Sequence, residues 1–127
     1  MLDRPDAAEL MDALAAFLDH TVVPSFEGGR RFHALVAANI ARIVARELRV
    51  GDKLVDEELD DLRDLLGTHG ADEPRAPKER LFDLTREVCA RIESGAMDDE
   101  PERSRVLAYV KRSIARRLDV DNPKYPR

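Results

Sequence analysis

The chain has 127 residues, a formal net charge of −5 and a single cysteine, Cys89. That length suits one domain with one core and is short for two. One cysteine forbids an internal disulfide, and the negative balance argues against wholesale attraction to nucleic acid or to an anionic membrane. With 5% aromatic residues and no Trp, the core has to come from Leu, Val, Ile and Ala, and 37% charged residues suits a small helical protein with solvated faces.

The opening "MLDRPDAAEL" lacks a basic segment followed by an apolar run, so it does not read as a signal peptide. No apolar run approaches the roughly 20 residues of a membrane span. The expectation is a cytoplasmic protein with no membrane segment. A first helix is predicted from near Pro5, with Leu10, Met11, Leu14, Phe17, Leu18 and Val22 at helical spacing and Pro24 as its end. "EGG" turns into a second helix from about Arg30 to Val50, stopped at Gly51. A short third helix, capped by Asp56 or Asp52, carries Leu59, Leu62, Leu65 and Leu66 and stops at Gly67. "GTHGADEPRAP" reads as a loop. Pro77 opens a fourth helix whose apolar stripe includes Leu81, Leu84, Val88, Cys89 and Ile92, with Gly95 closing it. Pro101 starts a fifth helix running to about Leu118, with Val106, Leu107, Val110 and Ile114 as apolar positions. The tail, residues 118–127, is predicted to be extended and to dock on its own domain. Two-residue alternation is absent, so the prediction is all-α: a single-domain bundle of about five helices over residues 1–127, with the second helix central.

On a wheel of the second helix, Phe32, Val36, Ile40, Ile43, Val44 and Leu48 form a wide apolar arc, and Ala34, Ala37, Ala41 and Ala45 extend it. Arg31, Arg42, Arg46 and Arg49 share a narrow edge. His33 and Glu47 fall within the arc and Asn39 at its border. His33 and Glu47 are separated by 14 positions, roughly 21 Å along the axis, so they cannot form a dyad by themselves. His33 and Asn39 are read as structural polar residues. A Glu47 buried in the arc would need a partner, for which Arg117 on the fifth helix is the candidate; the equal alternative is that the helix end frays and Glu47 reaches water.

The residues of known chemistries do not converge. His20, His33 and His69 are scattered and HExxH is absent, so no zinc or iron site is expected. "DEELDD" lacks the glycine turn of a calcium loop and reads as a solvated helix start, "EGGR" lacks the Gly-x-x-x-x-Gly-Lys frame, and "SFEGG" is not a nucleophile elbow. Cys89 reads as a small buried hydrophobe. No cofactor is expected. The fifth helix places Arg105, Arg112 and Arg116 on one face beside Tyr109. That face reads first as a plain wet surface, then as a docking face for an acidic partner, and last as a nucleic-acid contact. Tyr125, between two prolines, is a further candidate contact.

"RFHALVAANIARIVARELRVG", "ARIESG" and the ending "LDVDNPKYP" together resemble a family of small uncharacterised bacterial all-helical proteins, known only as a domain of unknown function. The similar segment runs from "RPDAAEL" to Tyr125. Arg31, His33, Asn39, Arg46, Glu47, Pro123 and Tyr125 are the family-like positions, and no catalytic residue comes with the resemblance. Genes of that family commonly sit beside aminoglycoside-phosphotransferase-like kinases and acyl-CoA dehydrogenases. The resemblance therefore implies a non-catalytic accessory or protein-interaction module acting beside a phosphotransferase-like or acyl-CoA-handling enzyme. The alternative is a small-ligand binder or small enzyme with a polar pocket beside the second helix, built from Arg46, Glu47 and His33. Homodimerisation through the alanine face or the fifth helix is compatible with either.

Overall fold

A computed structural model describes residues 3–68 and 74–126. His69 and the middle of the expected "GTHGADEPRAP" loop lie outside the described residues. Asp6 and Glu9 start the first helix, α1 (Ala7–Phe17). The Glu9 N–H donates to the Asp6 carboxylate and the Asp6 N–H to the Glu9 carboxylate, each at 2.8 Å. This reciprocal box satisfies two donors that a helix start leaves open. Pro5 thus precedes the cap instead of occupying the first turn. After Phe17 the helix widens into a π turn, Leu18–Val22, then tightens into a 3₁₀ turn, Val23–Ser25, which holds Pro24.

The second helix, α2, runs from Gly28 to Leu66, 39 residues without interruption. The expected stop at Gly51 and a new start at Asp52 or Asp56 do not occur. A glycine inside a helix costs about 1 kcal/mol relative to alanine, which weakens a helix but does not end it. Leu54, Val55, Leu59 and Leu62 carry the apolar periodicity straight on. The glycine that does stop α2 is Gly67, at φ 71°, with the Thr68 N–H donating to the Arg63 carbonyl at 3.1 Å. The third helix, α3 (Pro77–Glu93), has its proline in the first turn and ends the same way: Gly95 sits at φ 78° and the Ala96 N–H donates to the Arg91 carbonyl at 3.0 Å. Both are left-handed glycine ends that return open carbonyls to the chain. The fourth helix, α4 (Glu102–Asp121), extends beyond the expected end at Leu118. The tail then turns, with the Tyr125 N–H donating to the Asn122 carbonyl at 2.9 Å.

The all-α reading holds. Among the described residues there are four α-helices and no strand, the expected second and third helices being one. The chain forms two compact units, one of residues 1–51 with 120–127 and one of residues 52–119. The long α2 belongs to both. In the second unit Leu62, Leu65, Leu66, Val88, Met97, Val106 and Tyr109 form a buried cluster, with Leu81 and Leu84 packed on it. In the first unit the buried residues are small: Ala8 and Ala15 of α1, Ala34, Ala38, Ala41 and Ala45 of α2, with Val23 and Val120. Ion pairs from Asp12 of α1 to Arg49 and from Asp19 of the π turn to Arg42 run that segment antiparallel to α2, since seven residues up one match seven down the other.

Candidate functional site

Helix α4 meets the acidic stretch of α2 through Arg105, Tyr109, Arg112 and Arg116. The Arg116 guanidinium donates to Glu58 Oε2 at 2.8 Å and to Asp61 Oδ2 at 2.5 Å, and Arg112 grips the same Asp61 carboxylate at 3.1 and 3.2 Å. The Tyr109 hydroxyl donates to Glu58 Oε1 at 2.6 Å, and Arg105 donates to the Asp64 carbonyl at 2.7 Å. The side chains of Arg116, Asp61 and Glu58 are 19%, 18% and 14% exposed, so this is a half-sheltered clasp and not a surface pair. Burial by itself would raise the Asp61 pKa, but the two arginine hydrogen bonds hold it below the usual carboxylate value. For Arg116, burial opposes the charge, and its hydrogen bonds to Asp61 and Glu58 overcome that and push its pKa up. Burial, then the hydrogen bond to Glu58, pushes the Tyr109 phenol well above its ordinary value, so it remains a proton donor.

Arg105, Tyr109, Arg112 and Arg116, expected as a wet or partner-facing surface, are thus engaged within residues 52–119. The partners Glu58 and Asp61 were not legible as such in "DEELDD", which reads as a solvated helix start. A signal existed: acidic positions 57, 58 and 61 share one side of a helix, as do basic positions 105, 112 and 116. The apolar positions of α4 divide: Val106 is buried, whereas Leu107, Val110 and Ile114 turn outward, 52%, 37% and 54% exposed.

A similar division holds on α2. Ala34, Ala38, Ala41 and Ala45 are buried and Ala37 is half-buried, while Phe32, Val36, Ile40, Val44 and Leu48 are exposed. The alanine face expected as a dimer contact is therefore already covered within the chain. Glu47 stands exposed, which agrees with the reading in which it reaches water and removes the need for a buried ion pair with Arg117. Arg31, His33, Asn39 and Arg117 are also exposed, and Arg117 is engaged. Arg46 is half-buried: its Nε donates to the Val120 carbonyl at 2.6 Å, holding an open carbonyl of the last turn of α4. Tyr125 is 55% exposed and Cys89 is exposed rather than buried. Among the described residues no group of three or more His, Cys, Asp or Glu could hold a metal ion, and no helix is long and apolar enough to cross a membrane.

A family model described as "Domain of unknown function (DUF6285)" matches residues 24–125. The chain belongs to the DUF6285 family. The DUF6285 match opens at Pro24, so it takes in α2, α3 and α4 and leaves α1, with "RPDAAEL", outside. Both the arginine–carboxylate clasp and the exposed arc of α2 fall inside the DUF6285 segment. No curated protein and no solved structure matches the chain.

Proposed function

We propose that the chain is a non-catalytic accessory, a protein-interaction module that acts in bacterial cytoplasm beside a phosphotransferase-like or acyl-CoA-handling enzyme. The observation that carries this reading is the outward turn of the large aliphatic residues. Leu107, Val110 and Ile114 recur along one face of α4 at helical spacing, and each is more than a third exposed. A contiguous row of exposed aliphatic side chains suits a docking face. The neighbouring enzyme class comes from the family resemblance alone. The arginines and carboxylates best suited to chemistry are engaged with each other, and Arg46, the centre of the alternative ligand pocket, holds a backbone carbonyl.

The test is co-expression of the tagged chain with a phosphotransferase-like or acyl-CoA dehydrogenase-like protein encoded beside it. Stoichiometric capture is expected, and Ile114→Glu should reduce it at least tenfold while leaving the helical content unchanged. Capture of neither neighbour by the folded chain overturns the reading.

A further inference from the structure

Around the axis of α2, with Ile40 set at zero, His33 and Glu47 lie only about 20° to either side, and Val36 and Val44 about 40°. The buried alanines lie more than about 100° away. The outward seam is thus His33, Val36, Ile40, Val44 and Glu47, with the half-buried Ile43 at its edge and seven positions from His33 to Ile40 and from Ile40 to Glu47. That is the spacing of a helix-pairing seam. Ile40 is 54% exposed at its centre, and the flanking Phe32 and Leu48 are 63% and 53% exposed. The His33 ring lies beside the ring of Phe32, centroids 6.0 Å apart, and no ion pair of Glu47 occurs among the described residues.

This seam is complementary to itself in one orientation. Laid antiparallel on a second copy with Ile40 against Ile40, position 33 falls beside position 47 at both ends. Each imidazole then meets a carboxylate, twice, roughly 21 Å apart. A parallel pairing would set Glu47 against Glu47 and leave each His33 without a carboxylate, and like charges in a seam oppose a register. The chain itself supplies the apolar centre and the polar ends that its own seam requires.

We infer that two copies of the chain associate antiparallel through α2, on a twofold axis at Ile40, with His33 of each copy paired to Glu47 of the other. The inference is separate from the accessory reading, because it concerns the purified chain alone. Light scattering at tens of micromolar should give the mass of a dimer, and Ile40→Glu should weaken association at least tenfold with an unchanged circular dichroism spectrum. In a Cys89→Ser background, Ile40→Cys should form a covalent dimer on mild oxidation. His33→Cys alone should not, but mixed with Glu47→Cys it should. A monomeric mass overturns the inference. So does a dimer that Ile40→Glu leaves intact, one in which Ile40→Cys stays reduced, or one in which His33→Cys cross-links to itself.

Discussion

In residues 52–119 the interior is made of large side chains: Leu62 is 0% exposed, and Leu65, Leu66, Val88 and Met97 surround it. In residues 1–51 with 120–127 it is made of alanines, with Ala38 and Ala45 at 0%, while Phe32, Ile40 and Leu48 look outward. Burial of an aliphatic side chain contributes about 1.5–3 kcal/mol, and a lone methyl much less. The leucine unit therefore has its own apolar driving force. The alanine unit depends on close backbone approach, on the Asp6–Glu9 cap and on the Asp12–Arg49 and Asp19–Arg42 ion pairs, and leaves its larger apolar side chains for a second surface. Hydrophobic periodicity locates a helix face. It does not say whether the wide face or the narrow face turns inward.

The comparison can be broken in both directions. In the leucine unit a smaller side chain does the damage: Leu62→Ala should cost about 2–5 kcal/mol in urea unfolding, through lost transfer energy and a cavity. In the alanine unit a larger one does: Ala45→Leu should cost about 1–3 kcal/mol by forcing the close-packed helices apart, and Ala45→Gly should cost less. Equal tolerance of leucine at position 45 would refute the close-approach account. Arg116→Ala should cost about 1–2 kcal/mol by leaving Glu58 and Asp61 without their shared donor. Because the folded Asp61 has a lowered pKa, its contribution is fully present above the unfolded carboxyl value of about 3.9 and is lost as pH falls through the lowered one. The stabilities of the parent and Arg116→Ala should therefore begin to converge as pH falls below about 4 and meet once it is below the lowered Asp61 value, and a difference that persists there would show that the clasp is not electrostatic. The smallest effect belongs to Gly51→Ala. An added Cβ meets Glu47 Cγ at 3.5 Å, an ordinary contact. Thermal unfolding should show a gain of about 0.5–1 kcal/mol.

Helix identity was legible wherever local chemistry decides it. Pro77, Gly67 and Gly95 mark ends correctly because a proline in the first turn and a glycine at positive φ act on their own backbone. Gly51 misleads because glycine stops a helix only where the following residues give the chain a reason to turn, and Leu54 to Leu62 give none. The candidate surfaces were legible as faces but not in direction. Arg105, Arg112 and Arg116 share a side in the sequence, yet only the folded chain sets that side against Glu58 and Asp61. Cys89 was expected inside because its stripe is apolar; α3 buries Val88 and leaves Cys89 outside. The family position of Glu47 was visible from the start, but its exposure is a tertiary fact.

The absence of a break at Gly51 has a kinetic side. Residue 51 is where α2 passes from one compact unit to the other, and the hydrogen-bond ladder crosses there through the residue with the greatest backbone freedom. A continuous helix need not open as one piece, because amide protection follows the cooperative unit that holds each turn. Amides of Leu59 to Leu66 should exchange with the slow clock of the leucine core, those of Ala34 to Ala45 with a faster one, and the rates should change over within a turn or so of Gly51. A single rod of secondary structure would then keep two times.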